Sequence, residues 1–183
     1  MVQILPIVVA PDPVLKSVAL PVAEVTAEIR TLMDNMYATM INANGIGLAA
    51  NQVSVLKRII VAEVEYYENE QDPAKAQPVK MANPEILSFS EDLFEVGEGC
   101  LSFPDVYEDR ERPNTIVVRY IDENNQPQER TFDGLLSFCI QHEIEHLDGI
   151  VLTDKMAKAK SKMVNEKLRK LKKKHSFNRY PIG

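Results

Sequence analysis

Residues 141–149, QHEIEHLDG, place two histidines four residues apart in a run that reads as helix. Four helical residues turn through about 400° and rise about 6 Å, so His142 and His146 leave the same face, one above the other. Their imidazoles can close on one metal ion. Glu143 sits at the edge of that face, where a carboxylate can reach a water held by such an ion without becoming a ligand itself. The plain alternative is an ordinary amphipathic helix. It would have to put two of the chain's three histidines at ligand spacing beside a glutamate by chance.

Two other stretches carry residue types suited to such a site. EVGEGCLSFP at 95–104 sets Cys100 after two glycines and before a proline, where a thiol is either a small buried hydrophobe or a soft metal ligand. GIGLAANQV at 45–53 brings two glycines and two alanines before Gln52. Small residues let the backbone approach closely, and a glutamine amide can donate to an oxyanion. Taken alone, this stretch reads as a tight helix-to-strand turn.

The elements that must position these residues follow from periodicity. VTAEIRTLMDNMYATMINANG has Ile29, Met33, Met36 and Met40 at i, i+4, i+7 and i+11, with Leu32 and Tyr37 beside them, which predicts a helix over about Thr26–Ile41 with a core-facing stripe. Asn44-Gly45 supplies a left-handed stop. KRIIVAEV reads as a strand, YYENEQDPAKAQPVK (about 66–80) as an exposed loop within the same domain, and short strand candidates lead up to Cys100. TIVVRYI (115–121) and PQERTF (127–132) form an antiparallel pair around DENNQ. The histidine helix then spans about Asp133–Leu147 and stops at Gly149, with Leu135, Phe138 and Cys139 on its apolar side. A last helix, about Ala157–Lys174, repeats Met163, Val164, Leu168 and Leu171 as a narrow apolar stripe among lysines. No internal repeat is evident.

Composition sets the outer bounds. A chain of 183 residues, 45% hydrophobic and 26% charged, is expected to form a single domain over 1–183 with a full core, and a disordered chain is excluded. No apolar run approaches the roughly 18 residues of a membrane span, so no membrane partner is expected. MVQILPIVVAPDP lacks a basic start and a small-residue cleavage site, which gives a cytoplasmic expectation. Two cysteines in that setting point to reduced thiols, metal ligation or packing sooner than to a disulfide. Residues 155–183 hold 11 Lys and Arg against one acid, Glu166, while the whole chain carries −6, so an acidic body bears a basic tail. Such a tail suits a polyanion or an acidic surface, beside the commoner role of a solvated helix face.

Together, GIGLAANQ at 45–52, EGCLS at 98–102 and QHEIEHL at 141–147 resemble the three ordered motifs of the peptide deformylases, GxGLAAxQ, EGCLS and QHExDHL. The resemblance covers roughly residues 4–174 and is to the bacterial type. It implies an α+β fold of small antiparallel sheets around the central HExxH-bearing helix, with a C-terminal helix. It implies removal of the N-formyl group from the formylmethionine of nascent polypeptides, with release of formate. Cys100, His142 and His146 become the metal ligands with water in the fourth position, the open arrangement of a catalytic site. Glu143 becomes the general acid and base, with Gln52 and the Leu101 N–H stabilising the oxyanion. Ile46, Gly47, Leu135, Phe138 and Cys139 match positions around the methionine pocket. The implied cofactor is one divalent ion, ferrous iron first, with zinc, nickel or cobalt able to substitute. The implied partners are the formylmethionyl nascent peptide and the ribosome near the tunnel exit, met through the basic helix.

The chain departs from the family pattern in two ways. Glu145 stands where Asp is usual, one methylene longer, and the loop after the first motif is longer than in compact members. Two rival readings fare worse. HEIEHLDG matches the first eight positions of HExxHxxGxxH, but position 152 is Leu where a zinc metallopeptidase of that pattern needs a third histidine. Glu166, the alternative downstream ligand, lies among lysines and reads as a surface charge. A ribosome- or RNA-binding module would explain the tail and leave the three motifs unexplained.

Overall fold

The computed structural model describes residues 2–64 and 78–175. The loop expected at about 66–80 therefore lies, up to residue 77, outside the described residues. In chain order the elements are helix α1 (Ala27–Asn42), strands β1 (Gly47–Ala49), β2 (Ile59–Ala62), β3 (Val79–Phe89), β4 (Leu93–Cys100), β5 (Phe103–Pro113), β6 (Thr115–Ile121) and β7 (Pro127–Asp133), and helices α2 (Gly134–Leu147) and α3 (Lys158–His175). The fold is α+β. One antiparallel sheet has the order β1-β2-β3-β6-β7, and β4-β5 forms a separate long hairpin. No helix among the described residues is long and apolar enough to cross a membrane.

Helix α1 begins where Thr26 accepts a hydrogen bond from the Ile29 N–H, and it ends as Asn44 turns left-handed at φ 53° and the Gly45 N–H reaches back to the Met40 carbonyl. Its stripe of Ile29, Met33, Met36 and Met40 is buried against Leu48, Ile59, Val61 and Ala82. Alternate residues of the same strands, Ala49, Ile60, Ala62, Val79 and Met81, point through the other face to Leu136, Ile140, Ile144 and Leu147 of α2. The central strands are thus apolar on both faces, because a helix covers each side.

Helix α2 is buried on nearly all sides. Leu136, Ile140, Ile144 and Leu147 press on the sheet, while Cys139, His142, Glu143 and His146 are turned round its axis from that face, as a 3.6-residue period requires. Gly149, at φ 73°, ends it, and a Cβ there would lie 2.5 Å from the Lys16 carbonyl oxygen.

Two sequence readings need correction. GIGLAANQV is a strand followed by a 3₁₀ turn at Ala50–Val53, and the strand pairs antiparallel with β2, Gly47 facing Ala62. Gly47 and the two alanines serve close packing between the sheet and its helices, which local turn signals do not reveal. On α3, Met163 is 69% exposed, so the buried stripe is Leu168 flanked by Val164 and Leu171, set against Leu15, Phe103, Val151 and Leu152.

Candidate active site

Three elements converge on the histidine face of α2. Strand β4 ends at Cys100, β1 runs past Glu143, and the 3₁₀ turn carries Gln52. The Cys100 sulfur and one ring nitrogen each of His142 and His146 lie within 4.8 Å of one another. Cys100 Sγ stands 3.2 Å from His146 Nε2. His142 Nδ1 lies 3.0 Å from Glu98 Oε2, a pairing in which Nδ1–H donates and leaves the Nε2 lone pair free. His142 Nε2 and His146 Nδ1 are buried and have no hydrogen-bond partner among the described residues. A soft sulfur, a buried ring nitrogen with a free lone pair and a carboxylate that orients the ring from behind are what a divalent transition metal requires, so the donor set fits a metal centre. Glu166, the alternative ligand, is exposed on α3 and stands apart from this cluster.

Glu143 lies beside the cluster with one carboxylate oxygen, Oε2, buried and unpartnered among the described residues. Burial pushes its carboxyl up to about 7; the charge of His142 opposes the rise and that of Glu98 adds to it. Space is tight here. A Cβ on Gly47 would sit 2.5 Å from both Cys139 Sγ and Glu143 Oε1, so the second glycine of GIG exists to let β1 pass the glutamate. Gln52 is held by its own turn, its Oε1 accepting from the Ala49 N–H at 2.7 Å. That anchor fixes the amide so that Nε2 donates to Ser102 Oγ at 3.1 Å and faces Cys100 Sγ at 3.7 Å. Leu101 sits in the turn joining β4 to β5, its side chain against Gly45.

Of the residues matched to the side-chain pocket, Ile46, Leu135, Phe138 and Cys139 line a cavity of about 90 Å³ that Val96, His142 and Glu143 complete. Leu135, 47% exposed, forms its rim, while Cys139 is buried and donates to the Ile46 carbonyl at 3.2 Å. Gly47 instead lines a neighbouring cleft of about 350 Å³, with Glu143, Cys100, Leu101 and Tyr107 along it. The arrangement offers a metal centre with a carboxylate beside it, at the junction of an apolar pocket and an open groove.

Sequence reading singled out Glu145 but did not find Glu98, Arg110 and Arg112, the other charges behind the histidines. Glu98 takes two hydrogen bonds from Arg112, at 2.5 and 3.0 Å, and Arg112 also reaches Glu145 at 2.9 Å. Burial alone would raise the Glu98 carboxyl, but the bonds from His142 and Arg112 prevail and hold it down at about 2. The signal was present in EGCLS and in the EDRERP alternation, where Arg110 and Arg112 share one face of β5. A partner 35 residues away in sequence is not visible from either.

A family model described as polypeptide deformylase matches residues 4–162. The chain belongs to the peptide deformylase family. It is 46% identical over 165 residues to the peptide deformylase of Methylocella silvestris, covering 90% of this chain and 83% of that one. The crystal structure of peptide deformylase from Ehrlichia chaffeensis superposes with a TM-score of 0.88 at 35% identity, covering 96% of this chain and all of that one. A second structure of the Ehrlichia enzyme, in complex with actinonin, gives 0.86 at 38% identity over 96% and 99% of the two chains. The chain is a metal-dependent hydrolase that removes the N-formyl group from nascent polypeptides. A methyl group at position 47 tests the close passage of β1. Gly47→Ala is expected to retain metal while kcat/KM on a formyl-Met peptide falls about 10²-fold, the order of loss that misplacing a reacting group by about 1 Å brings. Activity within twofold of the parent would show that Glu143 is not confined there.

Proposed function

We propose that Cys100, His142 and His146 hold the catalytic ion and that Glu143, Gln52 and the Leu101 N–H carry out the hydrolysis around it, the whole chain acting as one catalytic domain. The observation that carries this is the convergence of three ligand atoms from distant motifs within 4.8 Å, beside an unpartnered buried carboxylate oxygen. Bound there, the ion supplies Lewis acidity, which lowers the pKa of water and polarises a carbonyl oxygen. The formylmethionyl side chain enters the pocket of Ile46, Leu135, Phe138 and Cys139, with Gly47 leaving room for the peptide beside Glu143. Glu143 takes a proton from the attacking water as oxygen bonds to the formyl carbon. Gln52 Nε2 and the Leu101 N–H donate to the formyl oxygen as it gains negative charge. Glu143 then returns the proton to the amine nitrogen as the C–N bond breaks, releasing formate and the free N-terminus. Glu143→Gln is expected to keep its metal and lose about 10²–10⁴-fold in kcat, the usual share of a general acid and base. Parent turnover in the metal-loaded variant refutes the assignment.

A thiolate and two imidazoles accept iron, zinc, cobalt or nickel, and affinity order alone does not choose among them. We assign ferrous iron on the family resemblance. Activity is then expected to decay in air as iron is lost and Cys100 oxidises, to persist under anaerobic handling, and to be low with zinc. Cys100→Ser is expected to release the metal, while Cys139→Ser retains it. An air-stable, fully active zinc form overturns the iron assignment.

The site of action is the cytoplasm, and the docking partner is the ribosome near its tunnel exit. What supports the docking is the charge of α3, where Lys158, Lys162, Lys167, Arg169 and Lys170 are exposed while Leu168 is entirely buried. Deleting the helix is a poor test, because it would uncover Leu15 and Phe103. Reversing Lys162, Lys167 and Lys170 to Glu keeps the buried stripe. That triple variant is expected to deformylate a short peptide at the parental rate but to lose most ribosome association, and parental association should weaken steeply with salt as phosphate counterions are released. Association that is indifferent to charge reversal and to salt leaves α3 with its packing role alone.

A further inference from the structure

The fork of charges behind α2 includes two residues, Arg110 and Arg112, that none of the three motifs contains. Strand β5 carries EDRERP over 108–113, and the two-residue period of a strand puts Arg110 and Arg112 on the face that meets α2, while Asp109 and Glu111 point out to solvent. Arg110 grips both oxygens of Glu145, Nη1 to Oε2 at 2.6 Å and Nη2 to Oε1 at 2.9 Å, and lies 3.4 Å from Glu98 Oε2. Arg112 bridges the same two acids, and Glu98 holds His142 Nδ1. Two guanidiniums thus balance two carboxylates in a largely buried cluster, with one imidazole at its end. Glu145 has the extra methylene noted above. Its carboxylate occupies the whole fork of Arg110 and still takes a bond from Arg112.

We propose that Arg110 is a positioning residue: by holding Glu145 it leaves Arg112 committed to Glu98, and Glu98 then fixes the His142 ring with Nε2 turned toward Cys100 and His146. Without Arg110, two carboxylates compete for one guanidinium, and a buried acid that loses its partner draws in whatever donor remains. The bonds that suffer are those from Arg112 to Glu98, hence the orientation of His142. This rests on the reading of His142 as a metal ligand.

Cobalt titration separates the two claims. The parent protein is loaded with Co(II), its thiolate-to-cobalt and d–d absorption are recorded, and its dissociation constant is measured by chelator competition. A parent protein without thiolate-to-cobalt absorption would sink the ligand reading itself. With that absorption present, Arg110→Met is expected to bind cobalt about 10–100-fold more weakly, the range seen when a ligand's supporting partner is removed, and to shift the d–d bands. Adding Glu145→Gln removes the surplus negative charge, so the double variant should recover part of the loss. Arg110→Lys, which keeps charge without the planar fork, should fall between parent and Arg110→Met. Parental affinity and an unshifted spectrum in Arg110→Met overturn the proposal. If that variant fails to fold, parental values in Arg110→Lys overturn it, and weakened binding there upholds it.

Discussion

Burying the polar side chains of His142, Glu143 and His146 in an apolar interior is the constraint on which the rest of this structure depends. A helix that turned His142, Glu143 and His146 toward water would need only ordinary amphipathic support. Here those groups are buried, and each unpaired polar atom left in such a place costs on the order of 1–3 kcal/mol. The surrounding fold removes part of that cost. Glu98 takes up His142 Nδ1, and the Asn51 side-chain amide donates to the His146 carbonyl oxygen in the last turn of the helix. Among the described residues Asn51 Oδ1, His142 Nε2, His146 Nδ1 and Glu143 Oε2 stay unpaired, and the set includes atoms that metal chemistry or proton transfer can use. Polar groups left unsatisfied in a core are tolerated where function employs them.

The same constraint explains why α2 needs so much of the chain around it. Its sheet-facing side anchors it through Ile140, Ile144 and Leu147, and this fixes the rotation that aims the histidines. Helix α1 contributes from the far side of the sheet, since β1 and β2 can stay flat against α2 only if their other face is also covered. The thiol arrives on a different element altogether. Hairpin β4-β5 touches the core through Phe103 and Val106, which pack with Val8, Leu15 and Leu168, and Cys100 borders that cluster. Its register shifts between Gly99 and Cys100, where the ladder breaks and the strand turns toward the histidines.

What the sequence made legible divides by range. The helix bearing HEIEH, the α1 stripe with its Asn44 stop and the β6-β7 hairpin could all be read because periodicity and turn chemistry are local. The proposed ligand set was readable only as a resemblance across three motifs, because Cys100 alone was more commonly a small buried hydrophobe. GIGLAANQ misled as a turn: three residues of strand carry too little alternation to show a period, and Gly47 is explained by atoms of Cys139 and Glu143 from nearly a hundred residues away. Arg110, Arg112 and Glu98 were invisible as a group for the same reason. Alternating charges on a strand ordinarily mean a solvated face, and only the approach of α2 shows which of them turn inward.

Helix α3 joins these arguments, because it meets the site by packing and the outside by charge. Leu168 buries itself in the cluster behind Phe103, three residues after the thiol, while Lys160 pairs with Glu108 and Lys172 with Asp12 at the edges of that contact. Those two lysines are therefore occupied in holding the helix down. The basic residues on the remaining exposed surface make no such pairings among the described residues, and ion pairs on an open surface contribute little to stability in any case. A helix whose buried face supports the turn carrying Cys100 and whose open face carries uncompensated positive charge can be recharged without disturbing the cluster of Cys100, His142 and His146. Removing it would disturb both. The division by face is what lets one segment pack against the turn carrying Cys100 while keeping an open positive surface.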